Sequence, residues 1–236
     1  MSTSDQTAIT LLSAIAVHAE IEELLPRFRR EQGVEVRVNY DVNPSIAQRV
    51  MAGETFDVGL NNPWYVEEMI ASGRVIPDVH VPFARVPLAI GAAGLPAKDI
   101  VNSHEAVSAL LAGSQSIAYT DTGTSGKTFL RAIELMGLKH QISDRLRPMG
   151  AGQPPIAAAQ GQVQYAIAPL SRIIAAPGVS PVATFPSELN LDIDMSLFIH
   201  IRTEHLDLAR QLVRFLSDPS HDAYLQSHGI SRYAQT

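Results

Sequence analysis

Hydrophobic positions along the chain switch between the spacing of strands and the spacing of helices. In 8–14 apolar side chains run almost continuously, and in 34–40 they recur at every second position, so both segments are predicted to be strands. In 19–30, between them, apolar residues recur at i, i+3, i+4 and i+7 from Ile21, which predicts an amphipathic helix. Gly33 is placed to end that helix.

The alternation continues to the end of the chain, without the fixed period of a repeat protein. It predicts the α/β class, in which a parallel sheet is covered by helices. The other predicted strands are 56–60, 85–90, 116–120, 165–168, 179–185 and 193–201. The other predicted helices are 45–51, 66–70, 104–112, 127–136, 155–160, 206–216 and 222–227.

The length favours two lobes, because 236 residues exceed one typical domain of roughly 150 residues. The segments 82–87 and 185–194 are the predicted crossings between the lobes. We therefore expect lobe 1 at 1–83 and 193–236 and lobe 2 at 84–192, with a ligand cleft between them.

Four predicted turns lie where a strand ends and a helix begins, at 41–44, 61–63, 121–127 and 150–155. Asn at the N-cap and Pro at the first helical position are typical of helix starts. Each turn taken alone is explained as a cap that any parallel α/β protein needs. Together, helix N-termini could bind an anion without many basic side chains. The candidate ligand residues at these turns are Asn43, Asn62, Trp64, Ser125, Gly126, Lys127 and Gln153.

The segment 121–127 is similar to a phosphate-binding loop, but Asp121 stands where that motif needs a glycine. A carboxylate at this position would repel phosphates, so hydrolysis of a nucleoside triphosphate is disfavoured. The amides of Ser125–Lys127 could still bind a smaller anion, with Lys127 as the point charge.

Composition narrows the classes of partner. Eighteen Lys and Arg against 24 Asp and Glu give a net charge of −6, which disfavours nucleic acid and anionic membranes. Without cysteine there is no thiol catalysis and no Cys-based metal site. The eight histidines lack the spacing of a metal site, and no cofactor is expected.

Two aromatic side chains each allow two interpretations. His18 begins the first helix beside the end of the first strand, so it is either a surface residue or a contact to an anion. Trp64 is either a packing residue of its lobe or an aromatic wall of the cleft.

No stretch approaches the roughly 18 apolar residues of a membrane span, and the N-terminus lacks the basic region of a signal peptide. From this sequence as it stands we expect a cytoplasmic protein, and a periplasmic one if a signal peptide was trimmed. A membrane transporter is an expected partner only in the second case.

Several segments together resemble the molybdate-binding proteins of ABC importers, which have the type II periplasmic-binding-protein fold. The matching pieces are ITLLSA at 9–14, F-x-x-x-x-G-V-x-V at 28–36, I-A-Q-R-V-x-A-G at 46–53, F-D-V-G-L at 56–60, LRAIELMGL at 130–138 and GVSPVATFP at 178–186. The resemblance covers nearly the whole chain. It implies two lobes, each a mixed, mostly parallel sheet flanked by helices, that close on a small anion.

The ligand-binding side chains of that family are not found at the corresponding positions of this chain. The resemblance implies two serines and a tyrosine as donors, and this chain has Ala16, Asn43 and Pro169 at those positions. Hypothesis one is therefore a solute-binding protein for an oxyanion or carboxylate, with changed ligand residues.

The same fold family includes aconitate isomerase, which implies a second hypothesis, an isomerase of a polycarboxylate. His18 would be the base. The groups that would hold the carboxylates are Lys127, Asn43, Asn62 and the amides of Ser125 and Gly126.

Overall fold

The computed structural model describes residues 8–94 and 99–234 of the chain. Residues 1–7, on which the expectation about a leader rests, lie outside the described residues, and so does Lys98. Within the described ranges, no helix is long and apolar enough to cross a membrane.

Strands and helices alternate as the hydrophobic pattern predicts. The strands are β1 (Ala8–Ala14), β2 (Glu35–Asp41), β3 (Val58–Asn61), β4 (Val75–Val86), β5 (Leu88–Ala93), β6 (Ile117–Thr120), β7 (Leu146–Met149), β8 (Tyr165–Pro169), β9 (Val179–Thr184) and β10 (Ile193–His200). The helices are α1 (His18–Gln32), α2 (Asn43–Met51), α3 (Pro63–Ala71), α4 (His104–Ala112), α5 (Thr124–Leu135), α6 (Lys139–Ile142), α7 (Gln153–Ala159), α8 (Leu170–Ile174), α9 (Leu206–Leu216) and α10 (Asp222–Ser227).

The strands form two five-stranded mixed sheets, which confirms the predicted α/β class. In the first sheet, ordered β2-β1-β3-β10-β4, β1 pairs in parallel with β2 and β3, and β10 is antiparallel to β3. In the second, ordered β7-β6-β8-β5-β9, β6 is parallel to β7 and β8, while β5 is antiparallel to β8 and β9. Parallel and antiparallel pairs are thus equally frequent in the second sheet.

The strand β4 differs most from the sequence prediction, which placed only a strand at 85–90 in this region. Pro77 and Pro82 lie inside β4, and proline removes a backbone donor from a sheet. β4 is the edge strand of the first sheet, where proline is tolerated. Because of these two prolines, the sequence pattern did not predict this twelve-residue strand.

Backbone contacts divide the chain into two units. The first contains the described residues of Met1–Ala84, all of Asp194–Leu225 and the described residues of Arg232–Thr236. The second contains the described residues of Arg85–Ile193, together with Gln226–Ser231.

The segment Gln226–Ser231 differs from the predicted boundaries, which assign it to lobe 1. The N–H of Arg85 donates to the carbonyl of Ser231 at 2.7 Å, and the N–H of Ser231 donates back at 3.0 Å. A β-carbon at Gly229 would lie 2.6 Å from the Leu170 side chain, so this segment also packs closely against the rest of the second unit. Pairs so distant along the chain leave no local sequence signal.

Each unit has its own apolar core. In the first, the Phe198 ring covers Gly59 on the neighbouring strand, where a β-carbon would lie 2.2 Å from the ring. In the second, Phe129 of α5 is fully buried and its ring lies 6.1 Å from that of Phe185. Aromatic rings therefore contribute to the core of each unit.

A buried histidine, His200, lies at the end of β10 in the first unit. Its Nδ1 accepts the N–H of Arg202 at 3.1 Å, and its Nε2 is buried without a hydrogen-bond partner. Burial lowers the pKa of His200, and the positive charges of Arg202 and Arg74 lower it further, against the opposing effect of Asp57. The folded protein therefore favours the neutral imidazole.

This burial predicts a loss of stability on mild acidification. The unfolded chain binds a proton near pH 6.5, and the folded chain does so only at lower pH, so the free energy of unfolding falls as the pH drops below about 6.5. His200→Asn keeps an acceptor for the Arg202 N–H but cannot ionise. Its melting temperature should fall less between pH 7 and pH 5 than that of the wild type. The matched control, His104→Asn at an exposed position, should keep the wild-type slope. Equal slopes in all three proteins would contradict the prediction.

Candidate functional site

Five of the sequence-predicted site residues follow the strand ends of one edge of the first sheet. Ala14 of β1 pairs with Asp41 of β2, and the register of β1 with β3 places Asn61 at the same level. α1, α2 and α3 begin shortly after these three ends. The predicted residues on or before their first turns are Ala16, His18, Asn43, Asn62 and Trp64.

Asn61, which the sequence reasoning missed, ties two of these helix starts together. Its Nδ2 donates to the carbonyl of Asn43 at 3.1 Å, and its Oδ1 accepts the N–H of Asn62 at 2.8 Å. The side chain is completely buried. One amide thus holds the N-termini of α2 and α3 side by side, which sets their two positive dipole ends at one place.

The side chain of Asn62 is engaged within the first unit. It is fully buried, and its Nδ2 donates to the carbonyl of Asp194 at 2.7 Å. Asn62 precedes Pro63, which carries no N–H, and the N–H groups of Tyr65 and Val66 donate to the Asn62 carbonyl. The backbone N–H of Trp64 lies between Pro63, which has no N–H, and Tyr65, whose N–H is bonded. It is therefore the N–H of this turn that has no acceptor inside the helix.

Asn43 is the first residue of α2 and is only 5% exposed. Its Oδ1 is buried and has no hydrogen-bond partner among the residues that the structure describes. Pro44 has no N–H, and the N–H of Ile46 donates to Val42. The amides of Asn43 and Ser45 therefore precede the first hydrogen bond of this helix.

His18 begins α1, as expected, and its ring lies against that of Tyr40, with 4.3 Å between the centroids. The Tyr40 hydroxyl donates to Glu22 Oε1 at 2.7 Å. Burial raises the pKa of Tyr40 far above its ordinary value, and the hydrogen bond and charge of Glu22 and the charge of Glu20 raise it further. Tyr40 therefore remains protonated and holds a fixed surface for the imidazole.

Ala16 and Trp64 have opposite exposures. Ala16 is buried in a 3-10 turn, Ile15–Val17, so only its backbone could contact a ligand. Trp64 is 45% exposed, and its ring contacts that of Tyr65 at a centroid distance of 5.9 Å. It is therefore not a core residue of the first unit.

Ser196 and Tyr233 are two further residues that the sequence reasoning missed. They lie at the same edge of the first sheet, where β1, β2 and β3 end, which is called the first edge below. Ser196 pairs with Asn61 across β3 and β10, and its hydroxyl lies 2.5 Å from the Tyr233 hydroxyl. Tyr233 comes from the end of the chain, 37 residues away. No local pattern could have predicted this pair.

The corresponding edge of the second sheet carries the remaining predicted residues. β6, β7 and β8 run in parallel and are followed by α5, α7 and α8. In the first two turns of α5, Ser125 is half-buried, Gly126 is buried and Lys127 is exposed. Gln153 is exposed at the start of α7, and its N–H donates to the Gly150 carbonyl.

The expectation that the amides of Ser125–Lys127 bind an anion needs one correction. The N–H of Lys127 donates to the carbonyl of Gly123 at 3.3 Å, as the first hydrogen bond of the helix. This leaves Ser125 and Gly126 as the candidate amide donors. The ammonium group of Lys127 is exposed and has no ion-pair partner within 8–94 and 99–234.

Arg172 is a cation at the second edge that the sequence reasoning missed, because α8 was not predicted. It is half-buried on α8, and a β-carbon at Gly152 would lie 3.9 Å from its Nη2. With Gly152, Ile156 and Pro177 it lines a groove of about 290 Å³. Its guanidinium group therefore lies beside the turn that begins α7.

The described residues contain no group of three or more His, Cys, Asp or Glu side chains that could hold a metal ion. At these edges the carboxylate of Asp41 is paired with Arg49 at 3.1 Å, and Asp121 is exposed. The candidate ligand groups are amides, hydroxyls, an imidazole and single cations. Such groups bind oxygen atoms of anions by hydrogen bonds.

Gly126 allows α5 to begin directly against the end of β6. A β-carbon at this position would lie 1.6 Å from the carbonyl oxygen of Thr120. We expect Gly126→Ala to lower the free energy of unfolding by about 1–3 kcal/mol, because backbone rather than a flexible side chain must move. Urea unfolding measures the change. In the control Gly150→Ala the nearest atom is 3.9 Å away, so its stability should stay close to that of the wild type. Similar stabilities of Gly126→Ala and the wild type would contradict this account.

The chain is similar to known proteins in sequence and in fold. A family model described as bacterial extracellular solute-binding protein matches residues 9–231. A curated relative, aconitate isomerase from Pseudomonas sp, is 24% identical over 230 residues, which cover 95% of this chain and 87% of the relative.

Two solved structures match almost the whole chain. The Azotobacter vinelandii periplasmic molybdate-binding protein has a TM-score of 0.76 at 18% identity, covering 97% of this chain and all of the other. The sulfate-binding protein SubI from Mycobacterium tuberculosis H37Rv has a TM-score of 0.75 at 18% identity, covering 95% of this chain and 86% of the other. At this identity the likeness shows the fold alone, and the predicted type II periplasmic-binding-protein-like fold is confirmed.

Proposed function

We propose, on the premise that the chain belongs to the family of bacterial extracellular solute-binding proteins, that it binds a small anion, either an oxyanion or a carboxylate. The observation that carries this proposal is the hydrogen bonding of Asn61, which ties the N-termini of α2 and α3 together. Two helix dipoles with their positive ends at one place favour a negative charge there.

The second unit supports the same chemistry through a different set of donors. The start of α5 offers the amides of Ser125 and Gly126 beside the exposed ammonium group of Lys127. A net charge of −6 does not oppose such a ligand, because the attraction comes from local groups. The strand-end edge of each unit, taken by itself, therefore carries donors for the oxygens of an anion.

The ligand of this chain is expected to differ from those of its structural neighbours. One neighbour is named for molybdate and another for sulfate. The serine positions that the resemblance implies are Ala16 and Asn43 in this chain. A donor set with fewer hydroxyls and an added cation favours a carboxylate over a fully ionised tetrahedral oxyanion such as molybdate or sulfate.

A thermal-shift screen with oxyanions and with di- and tricarboxylates tests this function. A bound anion stabilises the folded state by about 2.7 kcal/mol at 100 times its dissociation constant, so the melting temperature should rise by several degrees. Lys127→Ala should weaken binding about tenfold or more, because a charged hydrogen bond is lost. Lys139→Ala is the matched control, since Lys139 is exposed and paired with Glu134 at 3.3 Å.

The anion proposal is wrong if no anion of the screen changes the melting temperature of the wild type. If both lysine variants bind the ligand as the wild type does, Lys127 has no part in binding.

A second candidate function is isomerisation of a polycarboxylate, which two observations favour. A curated relative over 95% of the chain is an aconitate isomerase. The His18 ring is held against Tyr40, whose hydroxyl is fixed on Glu22. In this function His18 takes a proton from one carbon of the substrate and returns it to another, so the composition of the substrate is unchanged.

The interconversion of cis- and trans-aconitate, followed by chromatography, tests the second candidate. If the wild type is active, His18→Ala should reduce the rate about 10²–10⁴-fold, the usual contribution of a general base. His104→Ala, at an exposed position on α4, should keep the wild-type rate. An active His18→Ala variant would exclude His18 as the base, and an inactive wild type would exclude aconitate as the substrate.

The two candidates differ in partner and location. A transport-type binding protein works outside the cytoplasmic membrane and delivers its ligand to a transporter, whereas the isomerase hypothesis places the protein in the cytoplasm. Fractionation of cells that express the natural gene discriminates between them.

A further inference from the structure

Asn43 Oδ1 is an acceptor without a donor. The atom is buried at the first residue of α2, a residue that is only 5% exposed, and no described residue bonds to it. A buried polar atom without a partner destabilises a folded protein, and such atoms are rare. Among such atoms in the described residues, it is the one that lies at a helix start directly after a parallel strand.

Four side-chain or backbone donors of this edge have other acceptors. Asn61 Nδ2 donates to the carbonyl, not the side chain, of Asn43. Asn62 Nδ2 donates to Asp194, and the N–H of Ile46 donates to Val42. The hydroxyl of Tyr40 donates to Glu22. Each of these donors already makes a hydrogen bond within the first unit, so none of them is free for Oδ1.

We propose that Asn43 makes this site selective for anions that carry a hydrogen-bond donor beside the charged group, such as an α-hydroxycarboxylate or hydrogen phosphate. The inference rests on the anion-binding function proposed above and specifies the ligand class of that site. The amides at the start of α2 receive the charged oxygens, and Oδ1 accepts the hydroxyl or acid proton of the same ligand.

The selectivity follows from the opposite requirements of donors and acceptors. An anion with acceptors only, such as succinate or sulfate, brings a second lone pair against Oδ1 and leaves it unsatisfied. An anion with a hydroxyl satisfies it. Sites built to bond a hydroxyl reject analogues that lack the group far more strongly than apolar pockets reject a missing methylene.

Matched ligand pairs test the inference by isothermal titration calorimetry at pH 6. The pairs are malate against succinate, citrate against tricarballylate, and phosphate, protonated at this pH, against sulfate. In each pair for which binding is measurable, the wild type should prefer the donor-bearing member at least tenfold. The pair that shows the preference tells whether the natural ligand resembles a dicarboxylate (malate), a tricarboxylate (citrate) or an inorganic anion (phosphate).

Asn43→Ser replaces the fixed acceptor by a hydroxyl that can donate or accept, so the preference should collapse to within about threefold. Asn39→Ser is the matched control on the exposed face of β2, and it should keep the wild-type preference. Melting curves without ligand show whether the variants fold. If Asn43→Ser does not fold, the preference of the wild type remains a sufficient test.

The outcomes separate this inference from the function on which it rests. Binding of at least one pair with a preference that Asn43→Ser removes supports both. Binding without a preference, or a preference that Asn43→Ser leaves intact, overturns the role of Asn43 and leaves anion binding standing. No binding of any of the six anions overturns the anion function for these ligand classes and the inference with it.

Discussion

The parallel pairing of β1 with β2 and β3 is the constraint on which the first edge depends. Because three strands end at one level, three helices must begin there, and their unpaired amides gather in one place. The position of the candidate site is therefore set by the direction of the strands, and its side chains only add to it. A single antiparallel exchange within this trio would send one helix start to the opposite edge of the sheet.

Three asparagines at this edge have the same side chain and different functions. Asn61 uses both ends of its amide to join backbone groups, and Asn62 uses its Nδ2 to hold the carbonyl of Asp194. Asn43 leaves its oxygen without a protein partner. The first two fix the surrounding backbone, and their own donors are used in doing so.

Local patterns predicted much of this arrangement. The helix 206–216 matches α9 because its apolar residues recur with helical spacing, and 8–14 matches β1 because its apolar run is almost continuous and has clear ends. The helix starts of α1 and α3 followed from their position after strands and, for α3, from Asn62 and Pro63. The hydrogen bonds of Asn61, the contact of Ser196 with Tyr233 and the position of Arg172 depend on residues distant along the chain. Periodicity carries no information about such pairs.

The exposure of Trp64 has a practical consequence. It is the only tryptophan in the sequence, so all indole emission of the protein comes from the second residue of α3. An indole that is 45% exposed responds to the polarity of its surroundings, and this one stands two residues after Asn62. The fluorescence of Trp64 thus reports on the strand-end edge, and changes in polarity there can be followed in real time with the unlabelled protein.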